Sequence, residues 1–573
     1  MPKRLPMGAL SHLRVLDLTR VLAGPWCAQN LADFGADVIK VERPGAGDDT
    51  RAWGPPWLRD AAGSDTAEAA YYLAANRNKR SITVDISTPE GQEIVRRLAA
   101  HSDVVLENYK VGQLKKYGLD YDALKAVRPD LVYCSITGFG QTGPYAARAG
   151  YDFIVQGMGG FMSLTGERDD LPGGGPQKAG VAISDLMTGM YATVAVLAAL
   201  AHRDRTGEGQ YIDMALLDVQ VAMLANMNTN YLASGQAPRR WGNAHPNIVP
   251  YQTFQTADGW IIVAVGNDGQ FRRFVEAGAN PELADDPRFA TNPQRVANRD
   301  VLVPILAGMV RRLGKAEWIR RLEAAGVPCG PINSLDEVFD NEQVKARGLR
   351  VDLPHPSAGT VPLVGSPVRM SATPPQAVAH PPLLGEHTEA VLRDVLDLPQ
   401  AQIARCARRA SSSLPIPHRD EVTMWSDALL AYLHYLSIFT LIVFVTAEAV
   451  VLRPDMTPAI RKRLAIYDAV YGTSAGAVLI SGLLRLFYGA KGVAFYVHNP
   501  VFHIKMGLFV LVALMSIPPT LAILRWKRQG KTLPDFVPTP AEIAKVRRWV
   551  MLEAHLIIFI PLAAVLMARG IGM

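Results

Sequence analysis

Four stretches near the end of the chain, 428–452, 466–488, 501–524 and 549–567, are each long and apolar enough to cross a bilayer. About 20 residues suffice for that. Buried helices of a soluble domain need amphipathic partners to cover them, and none lies between these four. This part of the chain is therefore expected to be an all-α, four-helix transmembrane domain over 424–573. The preceding 400 or so residues read quite differently, with short apolar runs, frequent turns and dispersed charge. An overall composition of 49% apolar and 20% charged residues hides that change of solvent. The stretch between, CARRASSSLPIPHRDEVT (406–423), is a linker by composition.

At 573 residues the chain has room for more than one domain. Its four cysteines, Cys27, Cys134, Cys329 and Cys406, are widely spaced and suit a reducing compartment better than a disulfide framework. The opening MPKRLPMGALSHLRVLDL has no apolar core, so no signal peptide is expected. A net charge of +6 does not point to nucleic acid, because much of the basic excess flanks the apolar stretches.

In the first part, LRVLDLT, ADVIKVE, SITVDI and VVLENY read as strands alternating with helices, an α/β pattern. Pro25 starts the first helix and Thr88 caps the second. No G-x-G-x-x-G follows the first strand, which argues against a dinucleotide. Arg43 follows the second strand, on the edge where open α/β sheets take ligands. Strands and helices over 226–332 read as a smaller α+β domain inserted in a large one of 1–225 and 333–405, with a hairpin at Asp258-Gly259. Residues 352–382, rich in Pro and Gly, are expected to wrap the surface without regular structure.

The stretch from 150 to 188 carries the chemistry. VAIS reads as a short strand, Ser184 as the cap of a long apolar helix, and Asp185 as a member of its first turn. The helix dipole would keep that carboxyl an anion. Two roles are open on spacing alone: a plain cap, or a nucleophile toward an activated acyl group. Asp152 likewise either orients substrate or caps a helix. His245 either touches an acyl group or is structural.

The ordered segments VIKVERPGAGDDTRAWGPP, NRNKRSITVDI, ENY, YCSITGFGQTGP, RAGYD, AISDLMTGMYA, WGNAHPNIVPYQTF and GVPCGPIN resemble the class III CoA-transferases. The resemblance runs over about residues 10–400 and is strongest to the succinate–glutarate and hydroxymethylglutarate branch. It implies a Rossmann-like large domain with the inserted smaller domain, assembled as an interlocked homodimer. It makes Asp185, with Gly189 in the D-x-x-x-G segment, the nucleophile. It places coenzyme A, a substrate, against Val21, Leu22, Arg43, Val84, Asp85, Asn108, Tyr109, Lys116, Arg148 and Tyr151. Lys116 stands where formyl-CoA transferase has an arginine, so a phosphate contact survives without bidentate geometry. Gly159 and Gly160 are the expected oxyanion donors. The related acyl-CoA racemases carry histidine at position 151; tyrosine, with pKa near 10, is a poor base there. Transfer between an acyl-CoA, of succinate by the resemblance, and a free dicarboxylic acid needs no metal. A non-catalytic acyl-CoA-binding scaffold at the membrane is the alternative.

The C-terminal part resembles uncharacterised four-helix bacterial membrane proteins. It carries His434, Glu448, Arg485, His503, Lys505, Glu553 and His555 in or beside its spans. Ionisable groups at that depth mark function. Histidines on facing helices can ligate haem, which makes His434, His503 and His555 candidate ligands. The expected location is a cytoplasmic catalytic domain with its C-terminal part in the bacterial inner membrane. Charge placement resists this. The segments after the first and third stretches hold eleven Lys and Arg against three on the other face. Positive-inside logic then sends the start of the first span outward, and the transferase with it. Met424 would start a separate protein well, so two joined genes are the other reading.

Overall fold

The computed structural model describes residues 8–400, 402–403, 421–488 and 500–568, with side chains left undescribed at 421–428, 487–488 and 564–568. Most of the linker 406–423 lies outside the described residues. The chain divides into two compact units, Met1–Pro415 and Ile416–Met573.

The first unit is built on strands β1 (Arg14–Asp17), β2 (Asp37–Glu42), β3 (Lys79–Thr83), β4 (Val104–Glu107), β5 (Val132–Thr137) and β6 (Tyr211–Ala215). They form one parallel sheet in the order β3-β2-β1-β4-β5-β6. The chain winds outward from β1 to β3, then returns to β4 on the other side of β1. That reversal opens a crevice beyond the carboxyl ends of β1 and β4. The strands read as runs of Val, Ile and Leu because both sheet faces are covered. On one face lie α1 (Ala23–Asp33) and, much later in the chain, the helix Ile183–Thr206, closing over Cys27, Leu31, Val38, Val104 and Val196. On the other, α2 (Pro89–Ala100) joins the returning segment through Val95, Leu98, Val391 and Leu396. Thr88 caps α2 as expected, accepting from the Gly91 N–H.

Further along come α3 (Asp152–Met158), α4 (Ile183–Thr206) and α5 (Leu216–Ala222). The inserted part has its own antiparallel sheet, β7 (Tyr251–Gln255), β8 (Trp260–Ala264) and β9 (Cys329–Pro331), with the first pair turning at Asp258-Gly259. Its core is aromatic, around Phe254, Phe271, Phe274 and Trp318. Residues 352–382 depart from expectation at their start: β10 (Arg350–His355) pairs antiparallel with β11 (Gly359–Val364). Alternating Val351, Leu353, Val361 and Leu363 pack there on Tyr72 and Leu73, and apolar alternation outweighed the Pro and Gly content. Beyond it the chain is irregular. Asn78 fastens it, donating to Gln376 and accepting from the Val378 and Ala379 N–H groups.

The second unit is helical: α6 (Glu421–Val451), α7 (Pro458–Tyr488), α8 (Pro500–Thr532), α9 (Pro540–Ile557) and α10 (Phe559–Ala568). The first three are long and apolar enough to span a membrane. The fourth stretch, expected to be a single span, is broken at Ile558. Pro561 explains the break, since it lacks an N–H and its ring crowds the carbonyl of Ile557 four residues back. Outward Leu429, Phe439, Val443, Leu514 and Leu521 give the bundle an apolar surface. Helix α4 also has spanning length and hydropathy, but it lies in the first unit against α1.

Candidate active site

Asp185 is the third residue of α4, in the first turn as the sequence indicates. The local route to it differs from expectation. Residues 180–182 form no strand, and Ser184 is inside the helix rather than its cap. The cap comes from another helix. Asp152 Oδ1, on the first residue of α3, accepts from the Ser184 N–H (2.8 Å) and the Asp185 N–H (3.3 Å). Its Oδ2 accepts from Gln156 Nε2 (2.6 Å), and Gln156 Oε1 accepts from the Ala179 N–H (2.8 Å). Ser184 Oγ donates to Gln220 Oε1 on α5 (2.6 Å). Two short helices, α3 and α5, thus hold the start of α4. Asp152 does cap a helix, though not its own.

Burial pushes the Asp185 carboxyl up to about 7, and the like charge of Asp152 adds to it. The expected permanent anion is therefore wrong in sign. A helix N-terminus supplies about 0.3–1 kcal/mol at low ionic strength, whereas each pKa unit is worth about 1.4 kcal/mol. Desolvation outweighs the dipole. Such a carboxyl sits near its midpoint at neutral pH, where its ionised fraction is a poorly solvated and reactive oxyanion.

Gly189 explains the D-x-x-x-G spacing. A Cβ on it would lie 2.7 Å from the Ala23 carbonyl oxygen and 3.0 Å from the Trp26 side chain, so only glycine lets α4 seat on α1. Gly159 is needed for a similar reason, since a Cβ would stand 2.4 Å from Gln220. As an oxyanion donor Gly159 is ruled out in this arrangement, because its N–H is spent on the Val155 carbonyl (2.8 Å). The Gly160 N–H makes only a long 3.5 Å bond to Gly157 and remains the better donor.

A cavity of about 1450 Å³ lies beyond the carboxyl ends of β1 to β4. Arg43, Val84, Asp85 and Tyr109 line it, as do Arg20 and Asp48. Its floor is ionic and buried: Lys40 Nζ donates to Asp48 (2.9 Å) and to the Thr19 carbonyl (2.8 Å). Burial alone would raise Asp48, but Lys40 and the Thr50 hydrogen bonds outweigh it and hold it at about 2. Asp48 also accepts from the Val21 N–H (3.2 Å), and Val21 sits at φ 72°, a left-handed position that is strained for a β-branched residue. Asn108 braces the same turn, accepting from the Arg20 N–H (2.9 Å) and donating to its carbonyl (2.7 Å). Val21, Leu22 and Asn108 thus shape the crevice without lining the cavity. Glu107, which burial raises to about 7, fixes Tyr109 by accepting from its N–H (2.8 Å).

Lys116, Arg148, Tyr151 and His245 also lie apart from the cavity lining. Lys116 is exposed beside it, between lining residues Gln113 and Tyr117. Arg148 is exposed and stacks its guanidinium over Phe139 and Tyr145. Tyr151 is 63% exposed beside Asp152. His245 is tied into the inserted part, accepting from the Asn247 N–H and packing against Tyr251. Burial and nearby Arg299 lower its pKa. Sequence reasoning missed Tyr71, on which Asp185, Asp152 and Asp48 all act electrostatically. It therefore lies within electrostatic reach of both Asp185 and the cavity floor. It also missed Gln156 and Gln220, since amides in short helices give no pattern of their own.

In the second unit His434 is buried, its Nδ1 against Ser481 Oγ (2.8 Å). His503 and His555 are exposed on the outer surface, and His555 donates from Nδ1 to the Met551 carbonyl. Of the three, His434 is buried and the other two are exposed.

The first unit thus offers a buried carboxyl at a helix start and a large crevice at the carboxyl edge of its sheet. The chain belongs to CoA-transferase family III, whose model it matches over residues 10–388. Residues 426–572 match a second family, described as predicted membrane protein (DUF2214). The chain is 56% identical over 395 residues to the succinate–glutarate CoA-transferase of Agrobacterium fabrum, covering 69% of this chain and 97% of that protein. It is 46% identical to the human succinyl-CoA:glutarate CoA-transferase, covering 68% and 86%. Among solved structures it is similar to a CAIB/BAIF family protein from Brucella suis, with 51% identity, TM-score 0.61, and 69% and 100% coverage. It is also similar to Rv3272 from Mycobacterium tuberculosis, with 30% identity, TM-score 0.58, and 67% and 99% coverage.

Proposed function

We propose that this CoA-transferase takes CoA from succinyl-CoA and gives it to a free dicarboxylic acid of glutarate-like length, with Asp185 as nucleophile. One observation carries the assignment: the Asp185 carboxyl, seated in the first turn of α4, is poised near neutrality by burial. The ionised Asp185 attacks the thioester carbonyl, the C–S bond breaks, and a mixed anhydride and CoA thiolate result. The thiolate attacks the Asp185 carbonyl, releasing succinate and leaving an aspartyl-CoA thioester. The acceptor carboxylate attacks that thioester and frees the thiolate. The thiolate then takes the acceptor's acyl group and regenerates Asp185. The Gly160 N–H is the donor offered to the tetrahedral oxyanions. Arg43, with Val84, Asp85 and Tyr109, holds the nucleotide end of CoA. Lys116, Arg148, Tyr151 and His245 serve the chain and acyl end in an assembled homodimer. Exposed Phe153, Ile154, Tyr191 and Val194 on α3 and α4 support that assembly. CoA is a cytoplasmic substrate, so the catalytic unit works on that side of the membrane.

The test is exchange of labelled succinate into succinyl-CoA by the full chain, followed by a panel of acceptors (glutarate, hydroxymethylglutarate, malate, itaconate, oxalate). Asp185→Ala should abolish exchange while CoA still binds. Hydroxylamine added with succinyl-CoA should modify the Asp185 peptide of the wild type, seen by mass. Full exchange by the alanine variant would refute the role of Asp185. Transfer confined to monocarboxylates would refute the acceptor class.

A further inference from the structure

The interior of the second unit holds carboxyl groups that its apolar surface does not explain. Glu448 on α6, Asp468 on α7 and Glu553 on α9 are 2%, 5% and 1% exposed. Hydroxyls from two helices meet them: Tyr471 donates to Glu553 Oε1, and Thr520 donates to Asp468 Oδ1 (2.7 Å). Glu448 is different. Its Oε1 is buried with no hydrogen-bond partner among the described residues, and both Asp468 and Glu553 act on it electrostatically. At 1.5 Å rise per residue, Asp468 lies about 3 Å and Glu553 about 6 Å inside the apolar stretches 466–488 and 549–567, near the basic end of the bundle. Buried there without a counter-charge, a bare carboxylate is expensive.

No lysine or arginine forms an ion pair with the three among the described residues, although Lys527 acts electrostatically on Asp468. Arg485 and Lys505 act on His434 instead. Nor are the carboxyls gathered to ligate a metal ion, since no group of three such ligands occurs among the described residues. Uncompensated charge in that interior is removed most cheaply by protons. Leu452, four residues beyond Glu448 in the chain, lines a pocket of about 250 Å³ with Pro454, Ile543, Arg547, Arg548 and Met551. At about 30 Å³ per water, that pocket admits several. Arg461, whose guanidinium donates to the Phe536 carbonyl (2.7 Å), shows that the 452–457 and 533–539 connections share this end of the bundle.

We propose that Glu448, Asp468 and Glu553 form an exchangeable proton-binding site inside the bundle, near its basic end. Glu448 Oε1 takes the arriving proton. Asp468 with Thr520, and Glu553 with Tyr471, extend the site inward. Only O–H bonds form and break.

The experiment uses the full chain in lipid nanodiscs and infrared difference spectra between acid and alkaline buffer. A protonated-carboxyl C=O band should fade on raising the pH and shift when water is replaced by D2O. Glu448→Gln should remove its component of that band while CoA binding to the first unit stays unchanged. Glu448→Asp, which keeps the acid, should restore a titrating band at a shifted frequency, so a poorly folded glutamine variant does not decide the matter. A carboxyl band that neither titrates nor exchanges would mean static hydrogen-bonding between helices and overturn the proposal. So would a titrating band unchanged in both Glu448 variants.

Discussion

Asp185→Asn should make the protein more stable and catalytically dead at once. In the folded state the Asp185 carboxyl titrates at about 7 against 3.8 when solvated. An acid whose folded pKa is raised penalises folding once the unfolded chain begins to ionise. The penalty is absent below 3.8, grows through the window between, and is complete above about 7. About three units at 1.4 kcal/mol each set an upper bound near 4 kcal/mol, and residual solvent contact brings the expectation to about 2–4 kcal/mol. Asparagine keeps the shape and removes the charge. Its larger effect belongs at about pH 8, where thermal unfolding of the first unit should shift upward by roughly 5 °C. At about pH 4 the two proteins should melt together.

The assay is a pair of melting series across that range, on wild type and variant with the same lipid and no CoA. Ligand would stabilise one protein differently from the other. Equal melting at about pH 8 would refute the buried-carboxyl argument. An advantage that persists undiminished at about pH 4 would refute it too, because that gain could not come from ionisation. The same titration governs catalysis, since only the anion attacks. Exchange by the wild type should therefore fall as the pH drops through about 7.

Two further outcomes follow from neighbours of Asp185. Asp152→Asn keeps an oxygen to accept from the Ser184 N–H but removes the like charge, so the acidic limb of the exchange profile should move to lower pH; an unmoved limb would show that burial alone sets it. Gly189→Ala places a methyl 2.7 Å from the Ala23 carbonyl oxygen, which should cost about 1–3 kcal/mol on overpacking grounds and lower the melting point at every pH, and unchanged melting would contradict the close seating of α4 on α1.

Much of this was readable from the sequence because it follows local rules. Thr88 caps α2, Asp258-Gly259 turns a hairpin, and runs of Val and Ile form a sheet covered on both faces. Asp185 could be placed in a first turn from its position before a long apolar run. What escaped reading depends on contacts far apart in sequence. Asp152 caps a helix that starts 31 residues later, and Gln220 reaches back to Ser184, pairings that no spacing rule predicts. The dipole argument for Asp185 failed for the same reason: it weighed the residue's own helix and had no measure of what would cover it. In the second unit the apolar length was plain, but Pro561 inside the last stretch deserved more weight than its hydropathy.

The two units make opposing demands on the membrane. Arg461 bonds the Phe536 carbonyl, so both basic connections lie at one end of the bundle and the start of α6 lies at the other. The bias in those connections, eleven basic residues to three, favours keeping them in the cytoplasm. The chain would then enter α6 from outside, with a folded CoA-transferase attached where no CoA exists. Long domains cross or stay largely regardless of loop charge, because translocation depends on whether the domain folds before the first span emerges. About 400 residues of transferase precede that span, and at synthesis rates of about 5–20 residues per second they have time to fold. Retention of a folded domain is decided before the basic connections are made. The expected outcome in the full chain is a transferase retained in the cytoplasm, with the basic end of the bundle facing out. Expressed from Met424 alone, the same helices should insert the other way up, and reporters before Met424 and between Gln529 and Thr539 would read the inversion directly. Identical orientation of the two forms would show that loop charge, rather than the transferase, sets the topology.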